Sequence, residues 1–226
     1  MRRSQPFFPK FLPAALALLL ASPLLANSGE YKLEKISTAP EGVNDALKAG
    51  LQAEGARVLD GAGNVWCEVW IRKEIAPGSS GSLDALYSQL HIGSMLGILR
   101  FPDTGSDFRG QAIKPNTFTM RYALLPQDGA HMGMAPIVDF LVLIPTADDT
   151  LDADAEVPYL DLMKMSRKAS GTNHPAILNF GVPPEKFSGM SLAKDDAGHW
   201  VLHAKAGLKG GGELPLSMVV VGKGGE

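Results

Sequence analysis

Apolar and polar residues alternate along residues 64–74, which is the pattern of a β-strand with one buried face. One face is apolar and consists of Val65, Cys67, Val69 and Ile71. The opposite face combines aromatic and charged side chains: Trp66, Glu68, Trp70 and Arg72. A shorter apolar segment, Arg57-Val58-Leu59, is joined to this strand by Asp60-Gly61-Ala62-Gly63. The two segments therefore predict a β-hairpin.

Further short apolar or alternating segments are separated by turns rich in Gly, Pro, Asn and Asp. They predict strands over residues 31–36, 95–101, 118–124, 137–144, 176–180, 190–193, 199–205 and 216–221. The turn Asp195-Asp196-Ala197-Gly198 predicts a second hairpin.

Three segments have helical periodicity. Val43, Leu47 and Leu51 recur every four residues and predict a first helix. Ser82 could cap a short second helix that ends at Gly93. A third helix is expected from Pro158 to about Lys168. No regular alternation of strands and helices is present. We therefore predict a mainly β chain that forms an antiparallel β-sandwich, jelly-roll or Ig-like, with two or three short inserted helices.

The N-terminus has the organisation of a secretory signal peptide. Arg2, Arg3 and Lys10 precede an apolar run that ends in small residues before Ala26. The run is shorter than the ~20 residues of a spanning helix. The sequence predicts a signal peptide over residues 1–26, a single domain over 27–226, location in the periplasm or outside the cell, and no stable membrane insertion after cleavage.

Composition narrows the class of partner. The 226 residues carry a formal charge of −3 and are 45% hydrophobic and 20% charged, as in an ordinary globular protein. Mild acidity gives no reason to expect nucleic acid as a partner. The chain has one cysteine, which excludes an intrachain disulfide, and its strand pattern predicts that Cys67 is a buried apolar residue and not a reactive thiol.

The turn and strand over Ile113-Lys114-Pro115-Asn116-Thr117-Phe118-Thr119-Met120-Arg121-Tyr122 resemble a pattern of bacterial secreted β-sandwich domains. A longer run, which includes Gln127 to Gly133 and Ser170 to Pro175, is similar to uncharacterised exported proteins of environmental bacteria. This resemblance implies an exported β-sandwich and assigns no activity or catalytic residue.

Two loops concentrate Gly, His, Asp and Asn beside apolar strands, residues 127–136 and 170–175. Loops on a rigid scaffold commonly carry binding residues. The sequence therefore favours a non-enzymatic binding or interaction module, with an unknown protein, small molecule or carbohydrate as partner. The predicted ligand contacts on this rim are Arg121, Asp128, His131 and His174.

A periplasmic copper-binding protein is the first alternative. His131, Met132 and Met134 place one imidazole and two thioethers within four residues. Soft sulfur ligands together with imidazole suit Cu(I). The competing interpretation is that the two methionines fill gaps beside a buried strand.

A hydrolase is the second alternative, because Ser170, His174 and Asp139 supply the residue types of a catalytic triad. Nothing in their spacing requires that they meet. Residues 146–156 hold five acids and no base, and are expected to form a solvated loop.

The face formed by Trp66, Glu68, Trp70 and Arg72 has two interpretations. Exposed tryptophans flanked by polar groups could hold a sugar ring, whereas tryptophans in a sandwich are commonly covered. If this face is buried, Glu68 needs a partner, for which Arg72 and Arg121 are candidates. His199 and His203 also share a strand face, about 13 Å apart, which is too far to bind one zinc ion together. They are expected to be surface histidines.

Overall fold

The computed structural model describes residues 30–126 and 137–222. This part of the chain contains two helices, α1 (Asp45–Ala49) and α2 (Tyr159–Ser170). Its strands are β1 (Lys32–Ile36), β2 (Gly55–Leu59), β3 (Val65–Ile71), β4 (Glu74–Ile75), β5 (Met95–Phe101), β6 (Gly105–Ser106), β7 (Ala112–Ile113), β8 (Asn116–Leu124), β9 (Asp139–Pro145), β10 (Ile177–Asn179), β11 (Ser191–Lys194), β12 (Trp200–Leu208) and β13 (Glu213–Val221). Neither helix of this part is long and apolar enough to cross a membrane.

Most strands belong to two antiparallel sheets. The large sheet has seven strands in the order β1-β2-β3-β5-β8-β9-β10. The small sheet has the order β11-β12-β13, and the short β4 pairs in parallel with the end of β12. Strands β6 and β7 form a separate two-stranded hairpin. The prediction of a mainly β protein with antiparallel sheets and two helices is therefore confirmed.

The order of strands in the large sheet is the order along the chain. Such a meander needs only local connections between antiparallel neighbours. Jelly-roll and Ig-like domains contain Greek-key connections, which bring sequence-distant strands side by side. The predicted sandwich type is therefore not confirmed by this topology.

The two sheets bury one common apolar cluster. Val69, Phe118 and Leu141 of the large sheet belong to it, together with Leu202 and Leu216 of the small sheet. Residues two apart on a strand lie on the same face, so the alternation seen in the sequence directs these side chains inward. The core therefore lies between the sheets.

Cys67 belongs to this common cluster and is fully buried. Burial raises the pKa of the thiol well above its ordinary value. Because the thiolate is the reactive form, a buried thiol of raised pKa is unreactive. The prediction that Cys67 is a buried apolar residue is confirmed.

The outer face of the large sheet is covered at two places. Near α1, Val43, Leu51 and Trp70 share one buried cluster. Beneath α2, Leu162 packs with Val142 in another. Gly171 ends α2 with a left-handed φ of 67°, a conformation that glycine adopts without steric cost.

The expected short helix after Ser82 is not present. Residues 82–90 instead form bends and one turn, which covers residues 86–89. The backbone N–H groups of Leu86 and Tyr87 donate to the Asp139 carboxylate at 2.9 and 3.0 Å. Asp139 is fully buried and also accepts from the Tyr122 hydroxyl. The periodic leucines predicted a helix, but the long-range bonds to Asp139 hold the backbone in another shape.

The acidic connection over residues 146–156 is not a simple solvated loop. Asp149 is buried and paired with Arg121, and Asp154 accepts hydrogen bonds from Arg72 and Lys209. The hydrogen bond from Arg72 is the main reason why the pKa of Asp154 lies well below its ordinary range. Sequence composition could not show that these acids meet cations from distant strands.

Candidate ligand-binding cleft

A cavity of about 660 Å³ lies between α2, the β9–β10 edge of the large sheet and the loop between β6 and β7. We refer to it as the α2 cleft. Helix α2 contributes Tyr159, Leu160, Met163 and Arg167. The sheet side contributes Leu125, Phe140, Ile177 and Asn179.

The helix residues of the α2 cleft follow a single helical face. Their positions are compatible with the helical period, in which residues three, four or seven apart are neighbours. A rise of ~1.5 Å per residue puts Tyr159 and Arg167 about 12 Å apart along the axis. Met163, which lies between them, is nearly buried, and Phe140 beneath it is 1% exposed. The cleft is therefore elongated and has an apolar floor.

The β6–β7 loop forms one wall of the cleft with Asp107, Arg109, Gly110 and Gln111. Its shape depends on Asp107, whose carboxylate accepts from the backbone N–H groups of Arg109 and Gln111 at 2.9 and 2.8 Å. The Gln111 amide donates to the backbone oxygen of Pro175 at 3.3 Å, so this wall is bonded to the segment that follows α2. Burial raises the pKa of Asp107.

The segment after α2 brings His174 and Pro175 to the cleft. The Ser170 hydroxyl donates to the backbone oxygen of His174 at 2.5 Å, and Thr172 is bonded to the same oxygen. The Ser166 hydroxyl donates to the Ala176 oxygen at 3.0 Å and accepts from the Ala176 N–H. Short hydroxyl side chains commonly stabilise turns in this way. The backbone around His174 is thus held, while its side chain is exposed.

Of the four predicted ligand contacts, His174 lines the cleft and Arg121 does not. Arg121 is fully buried and forms a bidentate pair with Asp149 at 2.6 and 3.0 Å. Its remaining N–H groups donate to the backbone oxygens of Gly93, Leu151 and Asp152. All five guanidinium donors are occupied. Arg121 therefore holds the 146–156 connection against the sheet and is not a rim contact.

The remaining predicted contacts lie outside the described residues. These are Asp128, His131 and the candidate copper ligands Met132 and Met134, so the binding and copper predictions for them stay predictions. Over residues 30–126 and 137–222, no three His, Cys, Asp or Glu side chains are grouped closely enough to hold a metal ion.

The side chains of the candidate triad, Ser170, His174 and Asp139, are not connected to one another by hydrogen bonds. The Asp139 carboxylate is bonded to the turn at Leu86 and Tyr87 and to Tyr122, and the Ser170 hydroxyl is bonded to the His174 backbone. A triad needs a hydroxyl bonded to an imidazole that a carboxylate orients. The hydrolase alternative therefore loses the three residues that suggested it.

The two strand tryptophans do not form an exposed platform for a sugar. Trp70 is 3% exposed, and its indole N–H donates to the Thr38 oxygen at 2.9 Å. Trp66 is half-buried and donates to the Val220 oxygen of the small sheet at 2.8 Å. A register irregularity between Val58 and Leu59 of the paired strand accompanies the departure of Trp66 from the face predicted for it.

Glu68 on this strand is buried and paired, but with neither of the expected arginines. It accepts from Arg57 at 2.6 and 2.8 Å and from Arg100 at 2.8 Å. Arg57 and Arg100 stand directly opposite Glu68 on the two neighbouring strands. Cross-strand neighbours of opposite charge stabilise a sheet, and only the strand pairing could identify them.

The two histidines of β12 and its preceding turn are nearly buried, in contrast to the surface positions expected. His199 Nδ1 lies 2.9 Å from Asp195 Oδ2, and its ring packs on Phe108. His203 Nδ1 lies 2.6 Å from the Ser217 hydroxyl on the next strand. Burial lowers the pKa of His203 below its ordinary value of 6.5.

We expect His203 to make folding dependent on pH. Since the folded state resists a proton that the unfolded state accepts, its contribution to stability is present above about pH 6.5 and is lost as the pH falls. Replacing His203 by glutamine should therefore reduce the loss of unfolding free energy between about pH 7.5 and about pH 5.5, measured by urea denaturation. The exposed His174→Gln variant is the control and should keep the wild-type loss. An undiminished loss in His203→Gln would show that another group controls this range.

The sequence predicted the residues on one side of the α2 cleft and did not predict those on the other sides. The 170–175 loop was expected at a binding rim, but Arg109 and Arg167 had no motif to mark them. A weak signal was available for Arg167, because it shares the helical face of Tyr159 and Met163. For the β6–β7 loop, composition indicated only a turn.

Comparison with known proteins gives no relationship. No family model matches the chain, and neither the curated proteins nor the solved structures give a significant match.

Proposed function

We propose that this chain is an exported, non-enzymatic binding module that holds a small organic ligand in the α2 cleft. The observation that carries the proposal is an elongated cavity of about 660 Å³ with an apolar floor. Binding sites for small molecules have volumes of ~300–1,000 Å³ and combine apolar walls with a few polar groups. The walls of the cavity are a helix, a sheet edge and a hydrogen-bonded turn, which supports a site that is preformed.

Export and architecture belong to the same proposal. The charge and hydropathy of residues 1–26 support a cleaved signal peptide, and hence the periplasm or the medium. One apolar cluster shared by two sheets supports a β-sandwich. The covered tryptophans favour a small apolar ligand over the carbohydrate considered from the sequence.

The uncharged dye phenylnaphthylamine tests this proposal, because it fluoresces in apolar sites and has no group that could form an ion pair. We expect one molecule to bind per chain. Replacing Ile177, a half-buried residue of the cleft wall, by tryptophan should fill the cleft and weaken binding at least about tenfold, which corresponds to ~1.4 kcal/mol. Leu125→Trp is a second filling variant in case Ile177→Trp does not fold.

Leu83→Trp is the matched control. Leu83 is fully exposed and does not line the cleft, so the same aromatic group is added elsewhere and dye binding should stay as in the wild type. Circular dichroism before each titration verifies that the variants are folded. Absence of dye binding to the folded wild type would contradict the proposed site. Wild-type affinity for the dye in both filling variants would contradict it as well.

A further inference from the structure

The α2 cleft has a distinct distribution of charge. The described residues that line it include two guanidinium groups and an imidazole, from Arg109, Arg167 and His174, but one carboxylate, from Asp107. The chain as a whole carries a formal charge of −3. An exposed arginine on the wall of a cleft attracts an anion and disfavours a cation.

Asp107 interacts electrostatically with Arg109 and offsets the charge of that arginine, and Arg167 is the second guanidinium group of the cleft. The Asp107 carboxylate is nearly buried and accepts the two backbone N–H groups that shape the β6–β7 loop. A carboxylate oxygen that accepts these backbone bonds has a structural role in the turn. Asp107 is therefore a poor site for the positive group of a cationic ligand.

Arg167 and His174 are available for contact. Both side chains are exposed, and within residues 30–126 and 137–222 neither the guanidinium nor the imidazole is bonded to another side chain. The bonds from Ser170 and Thr172 use the backbone of His174 and leave its ring facing the cleft. Arginine binds a carboxylate through two parallel N–H groups, which favours a planar anionic head group.

The charged and apolar parts of the cleft are separated along α2. Arg167 lies on the last turn of the helix, whereas Tyr159 and Leu160 lie on the first. The distance between the two ends is about 12 Å at the rise of an α-helix. A ligand that spans the cleft therefore meets the Arg167 guanidinium at one end and apolar side chains at the other.

From these observations we infer that the α2 cleft binds an elongated organic anion, with a carboxylate or sulfonate beside Arg167 and His174 and an apolar body over Met163 and Phe140. This inference rests on the proposed function and adds the chemical class of the ligand. Opposite charge and a matched apolar surface together select an amphipathic acid over the alcohol or the amine of the same length.

The test compares two dyes that share an aromatic body. Anilinonaphthalene sulfonate carries one sulfonate, and phenylnaphthylamine carries none. We expect the sulfonate dye to bind at least about tenfold more tightly, a difference of ~1.4 kcal/mol. Decanoate should displace it at lower concentration than decanol, and decylamine should be the weakest competitor.

Arg167→Gln and His174→Gln are the informative variants. Each should weaken binding of the sulfonate dye and leave binding of phenylnaphthylamine unchanged, because each substitution removes a polar contact that only the sulfonate makes. Lys164→Gln is the matched control, since Lys164 is an exposed base on the same helix that does not line the cleft. It should leave both dyes unaffected.

The outcomes separate the two proposals. If neither dye binds the folded chain, the proposed function fails. If the neutral dye binds as tightly as the sulfonate dye, or decylamine competes better than decanoate, the cleft binds ligands but the inference about an anion is wrong. An equal effect of Lys164→Gln and Arg167→Gln would also overturn it, since that result indicates general attraction to a basic helix.

Discussion

Replacing Arg121 by methionine is expected to reduce the free energy of unfolding by about 3–5 kcal/mol, because the variant leaves the Asp149 carboxylate buried without its partner. The side chains of Arg121 and Asp149 are 0% and 1% exposed. The buried carboxylate keeps bonds from Thr119 and the Leu151 N–H, which compensate for only part of the lost charge. Urea denaturation followed by circular dichroism measures the change.

The double variant Arg121→Met with Asp149→Leu separates loss of an ion pair from loss of packing. It removes both buried charges, so we expect it to recover a large part of the stability lost in the single variant. Arg57→Met is a control at a partly exposed arginine, and should have a smaller effect because Glu68 keeps Arg100. A loss below about 1 kcal/mol in Arg121→Met would mean that the pair behaves like a surface salt bridge.

Replacing Trp70 by alanine is expected to reduce the free energy of unfolding by about 3–5 kcal/mol, the range for removing a large buried aromatic side chain. Trp70 packs with Met95 and Ile98, and its indole N–H bond to Thr38 disappears as well. For a chain of this size the melting temperature should fall by ~2–4 °C for each kcal/mol.

Gly55 supplies an independent test of the same packing. A Cβ atom at Gly55 would lie 2.6 Å from the Trp70 ring, so Gly55→Ala should destabilise the wild type. In the Trp70→Ala background the same substitution should destabilise the protein less, because the ring is gone and the close contact that remains is with the Val69 backbone oxygen at 2.9 Å. The exposed Leu83→Ala variant should change stability by less than about 0.5 kcal/mol. A small effect of Trp70→Ala would instead favour an exposed tryptophan face.

The local patterns predicted much of the fold. Alternation identified the hairpin of β2 and β3 and the long strand β8, because the side-chain period of a strand is a local property. Periodicity also identified α1 and α2, and Gly171 marks the end of the second helix. These elements have apolar faces that are consistent with the core they form.

Other parts could not be predicted because distant contacts override local preference. Residues 82–90 have helical spacing, yet two of their backbone N–H groups donate to the buried Asp139 carboxylate and the segment forms a turn with bends. Trp66 belongs by alternation to the face of Glu68, yet it packs with Tyr31 and Phe101 beside the register irregularity. A pattern of period two contains no information about such an irregularity.

The candidate site also combines residues that the sequence could predict with residues that only distant contacts bring together. His174 was accessible to sequence reasoning because its loop concentrates residues that occur in binding sites. Arg109 and Arg167 lie almost sixty positions apart in the chain and line the same cleft because the β6–β7 loop is bonded to the segment after α2 through Gln111 and Pro175. Arg121 was wrongly expected at the same rim, since its strand position does not reveal the acid that covers it.

The sequence by itself determined most of the strands and helices and most of the side chains that turn toward the core, because both depend mainly on neighbouring residues of the same segment. The tertiary structure decided which charged groups meet. Arg121 with Asp149, Arg72 with Asp154 and Glu68 with two arginines are all pairs between separate segments. The tertiary structure also decided where a cleft forms, since a cavity is formed by surfaces from several elements and belongs to none of them alone.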